Sequence, residues 1–339
     1  MSSPLELTRE QILGFRRRVS GLDERSPSGA ESLKRAAWAG LQDSMPRAAL
    51  LSLNARVEGI EPTTLDDPVL AQLWGPRYNT YVVAAADFAL FSLGRHPDEP
   101  KARQRAERIA AALHAHLDGE RMPDRDVGLA LGMHPNSFRY AATTGTVAIR
   151  WEGARGPVIW TVEAADIDPA EACRGLARRH LRIFGPSTAD GFARWAGITR
   201  HAGATAFESL ADELLPVRTP LGDEWLLEVD EREMRAGETT AARARLLPSG
   251  DTYFLLGDAE RSLLVPDPNL RDRLWTPRVW PGALLVDGEI RGTWRRAQHT
   301  VRVELWEELS AAAREAVEAE AAALPLPGVE RRIEVAWSP

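Results

Sequence analysis

One supersecondary order recurs three times in this chain, and it leaves few folds open. Each copy sets helices and a tight turn ahead of two strands joined by a Gly- or Pro-containing turn. In the first, over residues 7–95, Thr8 and Gln11 form a capping box that opens a helix to about residue 19. An alanine-rich helix over 30–41 follows. Pro46 disfavours helix at Met45 and opens another helix to about residue 57, with Gly59 past its end. "LAQLWGPRYNTYVVAAADF" then reads as strand, turn, strand. The second copy, 100–163, is the clearest. It has helices over 101–117 and from Pro123-Asp124 to 131, a turn at Gly132, and a third helix, "PNSFRYAATT". "TVAIRWEGARGPVIWTV" then alternates apolar and polar residues as a hairpin does. The third copy, 169–229, has helices over 170–184 and 199–215. Between them lies a short helix capped by Ser187 or Thr188, and the hairpin "LLPVRTPLGDEWLLEV" ends the copy. Helix, helix, turn, helix, hairpin is the winged-helix order, and three copies make an architectural repeat.

The remaining residues, 231–339, read differently. Short strands with Gly turns are spaced as in a small β-barrel, followed by a helix over 307–323 and the terminal strand "GVERRIEVAW". The expected fold class is therefore α+β: three tandem winged-helix domains (1–97, 98–166 and 167–230) plus a C-terminal small β-barrel (231–339). No apolar run is long enough to span a bilayer, and "MSSPLELTREQ" has no apolar signal core. A cytoplasmic monomer without membrane contact is expected. One cysteine, Cys173, excludes an internal disulfide and a cysteine-built zinc site. Net charge is −7, yet residues 101–200 hold 15 Lys/Arg against 11 Asp/Glu, which leaves −11 on the rest. A basic middle within an acidic chain suits nucleic-acid contact on one face.

The tripeptide Gln42-Asp43-Ser44 interrupts two helical runs with polar residues that a core does not need. Ser44 suits a helix N-cap and Asp43 suits the helix's positive end. Gln42 has no such duty. Helix junction and active site both remain open on this reading. Asn136, Ser137 and Arg139 occupy the recognition-helix position of the second copy, where phosphate or base contacts are made. Arg150 and Arg155 flank its wing. In "RGLARRHLR", Arg178 and Arg182 share a helix face at i, i+4. His299 lies on a strand or hairpin of the barrel region. These are the candidate DNA-binding residues, each with a solvated-surface alternative.

"GLQDSMPRAALLSLNARVEG", "LWGPRYNTYVV", "IFGPSTADGFARWAGI", "ARLLPSGDTYFLLGD" and "ALLVDGEIRGTW", in that order, resemble segments of the AlkZ-like DNA glycosylase family. The resemblance implies winged helices set in a C-shape with the barrel at its mouth. It implies excision of N7-alkylated purines from double-stranded DNA, without a cofactor or metal. The family's catalytic signature is Gln, an apolar residue, then Gln, with Asp at the third place in one branch. Carried onto this chain, the signature falls on Gln42, Asp43 and Ser44; the first position matches and the other two depart.

N7-alkylguanine carries a positive charge, so it departs neutral and needs no strong general acid. The enzyme must place a water under the anomeric carbon and supply negative potential to an oxocarbenium-like transition state. If the tripeptide is extended, Gln42 and Ser44 share a face and Asp43 points away. A local twist brings Asp43 in instead.

Overall fold

The computed structural model describes residues 4–338 apart from 44, 46, 152–155, 238–241, 327, 329 and 330. Ser44 and Arg155 thus lie outside the described residues.

The chain forms three units, each with a three-stranded sheet, and a five-stranded sheet near the C-terminus. The first unit sets helices Ala30–Ala36, Ala48–Asn54 and Phe88–Leu93 around an antiparallel sheet. Its strand order is Leu41–Gln42, Thr80–Ala84, Leu70–Trp74. The alanine-rich helix stops at Ala36, five residues before the expected end. Gly40 then adopts a φ of 75° and brings Leu41 and Gln42 alongside Val82 and Tyr81. A side chain at Gly40 has no room, because its Cβ falls 2.7 Å from Phe91. Tertiary pairing here overrides helix propensity.

In the second unit, helices Pro100–Leu117 and Asp124–Leu131 precede a tight helix, Pro135–Thr144, which is 3-10 rather than α. The Ser137, Thr143 and Thr144 hydroxyls each donate to a carbonyl three residues back, which accompanies the tighter winding. The sheet order is Met122–Pro123, Val158–Thr161, Val147–Arg150.

The third unit holds helices Pro169–Phe184, Ala189–Ala196 and Arg200–Glu208. Its last helix ends early because Leu214–Thr219 is drawn into a sheet with Gly222–Leu227. The third strand of that sheet is N-terminal. Leu5–Glu6 pairs in parallel with Val217 and Arg218. Helix Arg9–Val19, opened by the Thr8–Gln11 box, buries Ile12, Leu13 and Phe15 with Leu176, Phe192 and Phe207. The N-terminal segment, expected within the first unit, therefore belongs to the third. Its apolar face finds its cover there.

The expected barrel is an open sheet. Strands Ala244–Leu247, Gly282–Val286, Glu289–Ala297, Thr300–Leu305 and Glu334–Ser338 pair in that linear order, and the two edge strands do not meet. Helix Ala311–Ala322 covers one face instead, placing Val317 and Ala321 against Leu246, Leu284 and Val303. Strand count and Gly turns suggested closure, but closure depends on how the ends pair. Among the described residues no helix is long and apolar enough to cross a membrane.

Candidate active site

Gln42 is fixed from two sides. On one, its short strand pairs with Tyr81, and the Asp43 N–H donates to the Thr80 carbonyl at 2.7 Å. On the other, residues 248–254 dock onto the same segment. The Thr252 hydroxyl donates to the Gly40 carbonyl at 2.8 Å. Gly250, with a φ of 76°, lies so close that a Cβ there falls 3.2 Å from Gln42 Nε2. Between them, Asp251 accepts from both Arg56 nitrogens at 2.8 Å and from the Ser52 hydroxyl at 2.6 Å. All three side chains are buried. Burial alone raises the Asp251 pKa, but Arg56, Ser52 and the Tyr253 N–H outweigh it and hold the carboxyl below its ordinary value.

Gln42 lines a cleft of about 300 Å³ between the first unit and the C-terminal region. Arg77, Asn79, Ser249, Gly250 and Trp280 share its walls. The Tyr81 hydroxyl makes a long contact of 3.5 Å with Gln42 Oε1. Burial raises the Tyr81 pKa, so at neutral pH this phenol is a donor. Arg77 and Tyr78 both hold left-handed backbone, with φ of 54° and 59°. Such strain persists where surrounding packing dictates it. Here Gly197 of the third unit abuts the Arg77 backbone, and a Cβ at that glycine falls 2.9 Å from the Arg77 nitrogen. A larger cavity, about 630 Å³, lies between the first and second units and does not include Gln42. Size alone does not locate the chemistry.

Asp43 turns away from the cleft. It is 1% exposed; its Oδ1 accepts from the Ala49 N–H at 3.0 Å and its Oδ2 from Gln72 Nε2 at 2.8 Å. Burial pushes its pKa up to about 6, against the opposing pull of the Ala49 N–H, Arg47 and Gln72. Gln72 also accepts from the Trp151 N–H at 2.6 Å, which ties Asp43 to the second unit's hairpin. Gln72 was not singled out from sequence. Its partners lie 29 and 79 residues away, and no local signal marks them.

The other candidate residues do not gather at the cleft. Asn136 is exposed near the start of its helix, and Arg139 Nε donates to the Asn136 carbonyl at 2.7 Å. Ser137 is half-buried. Arg150 bonds the Leu65 carbonyl at 2.6 Å and pairs with Asp66. His299 sits half-buried in the two-residue turn between Glu289–Ala297 and Thr300–Leu305.

The basic helix carries its arginines in ion pairs. Arg178 grips Glu213 through two bonds at 2.8 and 2.7 Å, and Arg174 reaches the same carboxylate at 2.9 Å. Arg182 pairs with Asp230 and with Glu233 at 2.8 Å. The arginines expected to track phosphates thus pair with carboxylates within the protein.

A family model described as "DNA glycosylase AlkZ-like" matches residues 36–325. The fold is similar to that of the Streptomyces sahachiroi DNA glycosylase AlkZ, with a TM-score of 0.80 over 98% of this chain and 100% of that one. Sequence identity to it is 17%, so this likeness speaks for the fold. Among curated proteins no sequence matches this chain.

Proposed function

The chain belongs to the AlkZ-like DNA glycosylase family, and from that premise we propose that it excises bulky N7-alkylguanine lesions from duplex DNA by water attack on the N-glycosidic bond. One observation carries the reading. Gln42, at the signature's first position, lines an open cleft and is held from two sides, by Tyr81 and by Gly250. The Gln42 amide oxygen accepts from the attacking water, while Tyr81 steadies the amide. Asp43, ionised above pH 6 beneath this site, supplies negative potential as charge develops on the sugar. Ser44 is a second candidate to hold the water. The cationic base departs neutral, so no metal or cofactor takes part. The units act as winged-helix modules on the DNA, with Asn136, Ser137, Arg139 and the His299 turn facing it. Arg278, exposed at the cleft rim, adds a cation near the lesion. One arm of an interstrand crosslink is a substrate of the same chemical kind.

The test is direct. Purified protein incubated with N7-alkylguanine duplex is expected to release free base in the presence of EDTA and to leave alkali-labile sites. Strand cleavage should need alkali or heat, because Lys34 and Lys101 are the chain's only lysines and neither lines the cleft. Tight binding without base release leaves the protein a non-catalytic DNA binder and overturns the reading.

The pH profile gives a second prediction. Folding raises the Asp43 pKa, so the stability gained through its protonated form is complete below about pH 3.9 and lost above pH 6. Catalysis needs the opposite form. Base release per folded molecule is expected to climb through pH 6 and level off about one unit above it. Asp43→Asn should flatten the rise. A wild-type rate unchanged across this window removes the Asp43 charge from the mechanism.

A further inference from the structure

Next to the Gln42 cleft lies a second pocket of about 480 Å³, and the two share Arg77 and Leu255 in their walls. Three arginines from distant parts of the chain converge on it. Arg77 comes from the strained loop of the first unit, Arg194 from helix Ala189–Ala196 of the third, and Arg261 from helix Asp258–Leu264 of the C-terminal region. Arg194 is exposed and makes no hydrogen bond or ion pair among the described residues. Arg261 is held in place: its Nε donates to the Leu256 carbonyl at 3.1 Å, and its guanidinium lies 5.1 and 5.3 Å from the Trp275 and Trp280 rings. Among the described lining residues the carboxylate is Glu260, which accepts from the Gly257 N–H at 2.9 Å, so three arginines face one acid there.

A buried polar group also lacks a partner here. His180 is 2% exposed and lines the pocket. Its Nε2 meets the Ser187 hydroxyl at 2.9 Å, while its Nδ1 has no hydrogen-bond partner among the described residues. Buried nitrogens in native proteins are nearly always satisfied, and this one is set instead among the Phe184, Phe192 and Trp195 rings.

We propose that this pocket is an anion subsite that seats a phosphodiester of the lesion strand, one step along the backbone from the nucleotide at Gln42. The inference rests on the glycosylase reading for the identity of that strand. Phosphates recur about every 3.4 Å of rise along one strand, so a strand threading the cleft necessarily sets one beside it. Guanidinium forks match phosphate oxygens in shape and charge. Seating that phosphate fixes the sugar's position over the Gln42 water, which makes Arg194 a positioning residue rather than a catalytic one.

The test uses the full chain and two duplex series, one with a tetrahydrofuran abasic analogue and one with a single N7-alkylguanine. Each series carries a neutral methylphosphonate at one of the successive phosphates flanking the site. Wild-type protein is expected to lose about tenfold in affinity for the analogue at one position, as for one charge-assisted contact. Arg194→Ala should bind the all-phosphate duplex about tenfold more weakly and lose several-fold less than wild type at that position. Its melting temperature should match wild type, because the exposed side chain makes no hydrogen bond or ion pair among the described residues. Additive losses, or no sensitive position, overturn the proposal. An Arg194→Ala defect confined to bulky-adduct DNA assigns the pocket to the adduct and also overturns it. So does thermal stabilisation by inorganic phosphate without a sensitive position, which marks a site for the free ion. A wild type with the phosphate signature but no base release refutes the glycosylase reading and leaves the subsite standing. Base release without the signature does the reverse.

Discussion

Asp251→Ala is expected to cost the protein about 3–5 kcal/mol of stability, the usual penalty for removing one partner of a buried ion pair. The loss leaves the Arg56 guanidinium charged and buried, with the Ser52 hydroxyl and the Tyr253 N–H also missing an acceptor. Asp251→Asn keeps part of this hydrogen bonding and should cost less. Urea unfolding of the three proteins measures the difference. The pH dependence has a definite sign. Folding lowers the Asp251 pKa, so its contribution is present above the unfolded value, about 3.9, and fades as pH falls through the folded one. This opposes the Asp43 contribution, and Asp251→Ala should therefore weaken the acid sensitivity of the fold. Equal stability of Asp251→Ala and wild type would mean that residues 248–254 do not anchor the site.

Gln42→Ala is expected to slow single-turnover base release by at least about tenfold, or roughly 1.4 kcal/mol of barrier. Stability should change little, since the side chain spans a cleft and fills no core. The pairing of these variants is informative. Asp251→Ala attacks the support and moves the melting temperature. Gln42→Ala attacks the chemistry and moves only the rate. A Gln42→Ala protein that cleaves like wild type would reduce the tripeptide to a helix junction.

Much of this architecture is written in local signals. The Thr8–Gln11 box, the Thr188 cap and the turn at Pro220-Leu221 each sit within a few residues of what they organise, and each element forms there. The site is less legible because its supports are remote. Strand Leu41–Gln42 is too short to announce itself and exists only against residues 81 and 82. Asp43 reads as a helix-end residue and is one, through Ala49, but its second partner, Gln72, lies on another strand. "PSGDTY" is visible as a motif, whereas its anchor, Arg56, is 195 residues away. The basic helix is half-legible for the same reason: its arginines are plain in the sequence, whereas their partners Glu213, Asp230 and Glu233 are distant.

The parallel pairing of Leu5–Glu6 with residues 217 and 218 governs the order of assembly. A ribosome delivers the first helix long before it delivers the sheet and helices that cover Ile12, Leu13 and Phe15. The first and second units close largely on their own cores, over residues 33–82 and 74–159. The N-terminal helix instead waits, apolar face uncovered, until the residues that cover it, Leu176, Phe192 and Phe207 among them, have been made. Closing so long a loop slows the last docking step and leaves a sticky helix exposed in the meantime. The third unit therefore sets the pace at which the nascent chain becomes an enzyme-shaped molecule, although the residues proposed for chemistry are made among the first.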